Sequence, residues 1–254
     1  METSIASSPS IDKQEIVDPS IHHDLESENH TMEVEKQVTD VVVTEQKPQQ
    51  EVFSSDEALV DWIRKYIEEI IDVKRDGNCG YQAIAVALGH DENEWTNIRK
   101  ILFMELEHYF SLYEGTCGDK ELAKELRHKL NFYRSPAPKD RWMIMPEMGH
   151  LIASVFQVVV VFLSNHQCLT FLPLRYPPLP LESRRLIALG HVNGDHFVMV
   201  HLRLNSPIPP IARNWYIHHY SFADGWDTQY SKKIEEFKNI VGKDVATTDI
   251  IELD

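Results

Sequence analysis

Residues Asp76–Ala83 read Asp-Gly-Asn-Cys-Gly-Tyr-Gln-Ala and carry the strongest structural signal in this chain of 254 residues. A turn-forming tetrapeptide leads here into an apolar helix, predicted over about 80–88 and closed by Gly89. Cys79 therefore stands at or just before the first turn of the helix. Because free N–H groups and the positive helix end favour an anion, we expect the Cys79 thiol to ionise more easily than a free thiol. The same backbone donors would hold the oxyanion of an acyl intermediate.

A nucleophilic thiolate also needs a base, usually a histidine that a third polar group orients. Of the 13 histidines in the chain, His196 stands where a tight turn enters a β-rich run, and such a rigid position suits a catalytic ring. His191, across the turn, and His201, near the far end of the run, would point elsewhere. Taken singly, each residue has an ordinary alternative, since cysteines often pack as small buried hydrophobes and histidines at strand edges often make only a hydrogen bond. The two together predict a Cys-His site.

Helical periodicity comes first along the chain and strand patterns follow it. The predicted helices lie at about 56–71, 80–88, 95–113 and 119–130, with one more beginning at Pro146 and a last one at about 225–241. The predicted strands lie at 158–163, 168–172, 185–189 and 196–202. This order predicts an α+β fold, a layered α/β/α unit with a small central sheet.

Amino-acid composition separates the first 52 residues from the rest of the chain. Residues 1–52 contain no Phe, Trp, Tyr, Gly or Cys and carry 12 acidic against 3 basic side chains. A segment with so little apolar surface cannot offset the entropy of ordering it. We therefore predict a disordered acidic arm at 1–53, a folded domain at 54–243 and a flexible end at 244–254.

Charge and hydropathy exclude several classes of function. The formal net charge of −15 at pH 7 opposes direct binding to nucleic acid or to an anionic membrane. The longest apolar run, Val158–Leu163, is too short to span a bilayer, and the polar N-terminus does not resemble a secretion signal. The three cysteines are too few for a disulfide framework or a cysteine-rich zinc site. We expect a soluble protein of the cytosol or nucleus with reduced thiols and no metal or organic cofactor.

Three blocks of sequence resemble the ovarian tumour (OTU) superfamily of cysteine proteases, most of whose active members are deubiquitinases. The resemblance spans about 73–202. The sequence in this range is similar to that of OTU-like domains of plants and fungi, some of which are associated with transposon-derived proteins. The blocks occur in the family's order: Asp76, Gly77, Asn78, Cys79, Tyr81 and Ala83; then Trp142, Glu147 and Met148; then Gly194, Asp195, His196 and Phe197.

The resemblance implies an OTU-like α/β/α domain that acts as a thiol-dependent isopeptidase (an omega peptidase) on ubiquitin or a ubiquitin-like modifier. Cys79 would be the nucleophile, His196 the general base, and Asp76 the residue that orients or supports the site. The chain departs from the family pattern at two positions. Val198 stands where many active members have a polar third residue, and Gly80 replaces the bulky residue that usually follows the cysteine.

Two alternatives stay open, the first because of Val198 and the second because of the likeness to transposon-derived proteins and the net negative charge. One is an inactive OTU-like module that binds a ubiquitin-like protein without cleaving it. The other is a transposon-derived interaction protein that works through protein partners. The oligomeric state is left open by the sequence.

Overall fold

A five-stranded mixed sheet forms the centre of the computed structural model, which describes residues 59–244. Its strands are β1 (Ile67–Ile71), β2 (Val159–Ser164), β3 (Leu169–Phe171), β4 (Leu186–Val192) and β5 (His196–Leu202). Their spatial order is β1-β5-β4-β2-β3. The β2–β4 pair is parallel, and the β1–β5, β4–β5 and β2–β3 pairs are antiparallel.

Helices cover both faces of this sheet. They are α1 (Asp61–Arg64), α2 (Cys79–Ala87), α3 (Trp95–His108), α4 (Phe110–Cys117), α5 (Lys120–Leu130), α6 (Gly149–Phe156), α7 (Asn214–His218) and α8 (Ser231–Asp244). Alternate residues of β2 face opposite layers, as the pleat requires: Val160 and Phe162 join the core with α2, α3 and α6, whereas Val161 and Leu163 join a second core beneath α1. The layered α/β/α prediction is confirmed.

The largest departure from the predicted secondary structure lies before the cysteine turn. The prediction of a helix over 56–71 is wrong for residues 59–71, which the structure describes. These residues form the single helical turn α1 and then the strand β1. Ile63, Tyr66, Ile67 and Ile70 fit one helical face, but the last two belong to a β-rich run that pairs with β5. Pairing with a distant strand has overridden a local pattern.

Other boundaries differ less. The helix predicted over 95–113 is divided at Tyr109 into α3 and α4, and the helix expected from Pro146 begins at Gly149. The last helix runs from Ser231 rather than from about 225, and α7 was not predicted. The acidic segment predicted at 1–53 and the C-terminal end beyond residue 244 lie outside the described residues. None of the helices within 59–244 is long and apolar enough to cross a membrane.

A buried histidine sits on the core side of α6. His150 is 3 % exposed, packs edge-to-face on Phe171 and hydrogen-bonds through Nδ1 to the Leu172 carbonyl at 3.1 Å. Its Nε2 has no hydrogen-bond partner among residues 59–244. Burial lowers the pKa of His150 from 6.5 to about 4; the Leu172 carbonyl opposes this, and His218 adds to it. The ring is therefore neutral in the folded protein near pH 7.

His150 should make stability depend on pH below neutrality. Because its pKa is lower in the folded than in the unfolded chain, the unfolded chain takes up the proton first, and stability falls as pH drops from about 6.5 to about 4. The two pKa values differ by an amount equivalent to roughly 3 kcal/mol. We expect His150→Asn, which keeps a donor near the Leu172 carbonyl, to lose stability less steeply over this range in urea unfolding. Equal pH slopes for the two proteins would contradict this prediction.

Candidate active site

The cysteine turn has the geometry of a helix start. Helix α2 begins at Cys79, and the Asn78 carbonyl accepts hydrogen bonds from the N–H groups of Tyr81 (2.9 Å) and Gln82 (3.0 Å). Gly77 adopts a positive φ of 79°, which turns the chain into the helix. The Cys79 thiol is free and 6 % exposed, as a nucleophile set into the base of a cleft would be.

The surroundings of the thiol oppose the expected easy ionisation. Burial raises the pKa of Cys79, and the nearby Asp76 carboxylate adds to this; backbone N–H groups of Phe197, Gly80 and Cys79 itself donate to the sulfur and only partly offset the rise. The expectation of a lowered pKa is therefore wrong for this structure. The resting thiol keeps its proton at neutral pH, so a base has to remove it.

Asp76 organises the turn rather than touching the histidine. Its Oδ1 accepts hydrogen bonds from the Asn78 N–H (2.9 Å) and from Gln82 Nε2 (3.1 Å), and its Oδ2 accepts one from Ser135 Oγ (2.6 Å). The Asp76 carbonyl also accepts the N–H of Ala137 at 2.6 Å. The recorded side-chain hydrogen bonds of Asp76 thus join it to the turn, to α2 and to Ser135, and not to His196.

The carboxylate that does touch the histidine is Asp72. His196 Nε2 lies 2.6 Å from Asp72 Oδ1, with the ring 2 % exposed and the Asp72 side chain 42 % exposed. Since an ionised carboxylate only accepts hydrogen bonds, the ring proton belongs on Nε2, which leaves Nδ1 as the basic nitrogen. Cys79 and His196 line the same small cavity. The Asp72 carboxylate, the His196 ring and the Cys79 thiol are thus neighbours in this order.

Strand pairing explains how Asp72 takes the role that Val198 cannot fill. In the antiparallel β1–β5 pair, Ile70 faces Val200 and Ile71 faces Met199. Continuing this register by one residue places Asp72 across from Val198, so the polar group comes from the neighbouring strand. Sequence reasoning missed Asp72 because β1 was read as helix. An acidic residue directly after an isoleucine-rich strand was the signal that was available.

The second departure from the family pattern is compensated by packing. A side chain on Gly80 would collide with Met143, whose Cε would lie 2.4 Å and whose Cβ would lie 2.8 Å from the added carbon. Met143 is 5 % exposed and belongs to the main core. A side chain from a neighbouring loop therefore fills the space beside the nucleophile, and the turn is not loosened by the glycine.

The three sequence blocks meet around one cleft. Tyr81 Oη, from the first block, approaches the sulfur of Met148, from the second, at 3.8 Å. Cys79, His196 and Trp142 line a cavity of about 100 Å³, and a second cavity of about 300 Å³ extends from Cys79 between Trp142 and Phe197. The larger cavity is lined mainly by apolar side chains, among them Met143, Ile144, Met145 and Phe162, and also by Lys129, Lys139, Asp195 and His191. His191, which was expected to point elsewhere, thus lines the same cavity as Cys79.

The surroundings of Cys117 and Cys168 differ from those of Cys79. Burial raises the pKa of both Cys117 and Cys168 to about 11. Cys117 is the last residue of α4, where the helix dipole disfavours a thiolate, and the Cys168 thiol donates to the Ser164 carbonyl at 3.4 Å. Neither has the surroundings of a nucleophile.

The histidines near the end of the chain have structural roles. His219 stacks on Trp215 at 4.0 Å between ring centroids, and its Nε2 contacts Asp224 Oδ1 at 2.7 Å. Within residues 59–244 no group of three or more His, Cys, Asp or Glu side chains is arranged to hold a metal ion.

Comparison with known proteins gives structural neighbours. No protein-family model and no curated sequence matches the chain. Three solved structures similar to it are all OTU domains, the family that the motifs resemble. They are the Hazara virus OTU bound to ubiquitin (18 % identity, TM-score 0.38, covering 55 % of this chain and 84 % of that one), the viral OTU domain protease from Farallon virus (16 %, 0.36, 55 % and 86 %) and the OTU domain of OTUD1 (16 %, 0.37, 56 % and 90 %).

Proposed function

We propose that this protein is a thiol-dependent isopeptidase that removes ubiquitin or a ubiquitin-like modifier from other proteins. One observation carries the proposal: His196, whose Nε2 is held by Asp72 at 2.6 Å, lines the same small cavity as Cys79. These are the nucleophile, base and orienting group that acyl transfer requires.

In the first half of the reaction, His196 Nδ1 takes the proton from the Cys79 thiol, and the thiolate attacks the carbonyl carbon of the modifier's C-terminal glycine. A C–S bond forms and the carbonyl oxygen becomes an oxyanion, which backbone N–H groups at the start of α2 stabilise. The imidazolium, held by the Asp72 carboxylate, then gives its proton to the nitrogen of the leaving lysine. The C–N bond breaks and leaves a thioester on Cys79.

In the second half, a water molecule replaces the amine beside His196. The ring takes a proton from the water as its oxygen attacks the thioester carbonyl. Collapse of the intermediate breaks the C–S bond, and the proton returns to the sulfur. The modifier leaves as a carboxylic acid, which loses its proton to the solvent, and Cys79 is again a neutral thiol.

The two cavities suggest which way the substrate lies. Since His196 must deliver a proton to the leaving amine, the lysine nitrogen belongs in the smaller cavity, which the ring lines. The acyl side, with the modifier's tail, then belongs in the larger cavity beyond Cys79.

A second candidate function is a module that binds the modifier without cleaving it. The raised pKa of Cys79 favours this candidate, because a neutral thiol is a poor nucleophile until its proton is removed.

A ubiquitin probe with a C-terminal thiol-trapping group separates the two candidates. We expect the full-length protein to form a covalent adduct at Cys79, located by peptide mass spectrometry. Cys79→Ala should abolish the adduct, and His196→Gln should slow its formation at least a hundredfold, since a positioned base contributes about 10²–10⁴. Cys117→Ala is the matched control and should react like the wild type. Reversible binding of ubiquitin with no adduct would reject the hydrolase and favour the binding module.

A further inference from the structure

A buried positive charge lies directly behind the cysteine turn. Arg99, on the inner face of α3, has no exposed surface. A buried guanidinium is costly unless its donors are satisfied, usually by a carboxylate. No carboxylate hydrogen-bonds to Arg99 within the described part of the chain, where its oxygen partners belong to one amide side chain and two backbone carbonyls. An expensive charge is thus kept with neutral oxygens as its recorded hydrogen-bond partners.

These three oxygens come from three different segments. Arg99 Nη2 donates to Asn78 Oδ1 and to the Arg141 carbonyl, each at 2.9 Å, and Nη1 donates to the Lys129 carbonyl at 2.5 Å. Lys129 lies in the last turn of α5, where the helix dipole favours a cation. The guanidinium also stacks 3.9 Å from the centroid of the Tyr81 ring.

The contact with Asn78 reaches the nucleophile. Asn78 precedes Cys79, and its amide is committed at both ends: Oδ1 accepts from Arg99, and Nδ2 donates to the Arg134 carbonyl at 3.3 Å. This holds the peptide between residues 78 and 79, at which helix α2 begins. The contact with the Arg141 carbonyl holds the residue before Trp142, which forms the opposite wall of the cleft.

We infer that Arg99 is a positioning residue for the nucleophile, acting through Asn78 to fix the backbone of the cysteine turn from which the Cys79 side chain projects. The inference deepens the proposed function, since it names a residue needed for the same reaction. Arg99 touches neither the substrate nor the thiol. Its removal should therefore act on the reactivity of Cys79 rather than on affinity for the modifier.

Arg141 provides a matched control. Its guanidinium also binds carbonyls at the end of α5, those of His128 and Asn131, and it also lies near the Phe132 ring, at 5.5 Å against 5.9 Å for Arg99. None of the recorded side-chain contacts of Arg141 is with the cysteine turn. A merely structural role at this helix end would be shared by both arginines.

The experiment measures the alkylation rate of Cys79 by iodoacetamide in the full-length protein, with Cys117 and Cys168 as internal references in the mass spectrum. Arg99→Lys keeps the positive charge but loses the planar guanidinium group, and Asn78→Ala removes its partner. For each variant we expect alkylation of Cys79 at pH 8 to slow about tenfold, equivalent to a rise of about one unit in the pKa of the thiol. The double variant should slow no further, because both substitutions remove the same interaction. Arg141→Lys should react within twofold of the wild type. On a ubiquitin substrate, kcat of the two single variants should fall about tenfold with KM within twofold.

Unchanged or faster alkylation in folded Arg99→Lys, additive effects in the double variant, or an equal loss in Arg141→Lys would overturn the inference. If Arg99→Lys does not fold, Asn78→Ala decides alone, and an unchanged rate there also overturns it. Alkylation requires no modifier, so the result is separate from the proposed function. A wild type that cleaves no ubiquitin substrate but shows the expected alkylation pattern would reject the isopeptidase and leave Arg99 as a positioning residue.

Discussion

Replacing Asp72 with asparagine is expected to lower kcat on a ubiquitin substrate by roughly 10²–10³-fold with little change in KM. The amide would donate to the ring as readily as accept from it, so the tautomer with a basic Nδ1 would lose its support. A fully buried triad aspartate can contribute about 10⁴. We expect less here, because the Asp72 side chain is 42 % exposed and water can take part of its place. Steady-state kinetics with a fluorogenic ubiquitin substrate would measure the loss.

Glu69→Gln is the control for Asp72→Asn. It makes the same change from acid to amide on the same strand, at an exposed residue that faces His201 rather than His196. Its kcat should stay within twofold of the wild type. A comparable loss in both variants would point to general charge at this edge of the sheet, and no loss in Asp72→Asn would remove the carboxylate from the mechanism.

Substitution of Gly77 by alanine is expected to destabilise the protein by about 3–5 kcal/mol and to lower kcat at least a hundredfold. The backbone at Gly77 has a φ of 79°, where a side chain costs about 1–2 kcal/mol. The added carbon would also lie 2.3 Å from the Ala137 carbonyl oxygen and 2.4 Å from Trp142 Nε1, the two atoms that share a 3.0 Å hydrogen bond. The cysteine turn and the loop that carries Trp142 must then move apart, and Gly77 and Trp142 both line the cleft. Urea unfolding and the kinetics above would measure the two losses.

Gly89→Ala is the control that separates the cost of backbone strain from the cost of steric collision at Gly77. Gly89 has a similar φ of 86°, but an added carbon there has no atom within 4 Å. Only the backbone cost of about 1–2 kcal/mol should appear, with kcat unchanged. If the two variants lost equal stability, the contact between the cysteine turn and the loop would not be rigid.

Local sequence was sufficient to place Cys79 at a helix start and His196 at a strand start. Cys79 opens helix α2, and His196 follows a turn whose residues Asn193 and Gly194 both adopt positive φ. Short β-rich apolar runs likewise located β2, β4 and β5 to within a few residues. Each of these signals lies within about ten residues of the feature that it predicts.

Local sequence could not show that Asp72 contacts His196 or that the Cys79 thiol is protonated. Asp72 and His196 are 124 residues apart, and they meet because β1 pairs with β5, although the residues before Asp72 also satisfy a helical period. The helix start does present N–H groups to the Cys79 sulfur, as its sequence indicates, yet burial by the surrounding layers outweighs them and raises the pKa. Backbone conformation and side-chain periodicity are short-range properties that neighbours along the chain encode. Solvent exclusion and cross-strand contact depend on which distant segments come together, and for this protein they decide the orienting carboxylate and the protonation of the nucleophile.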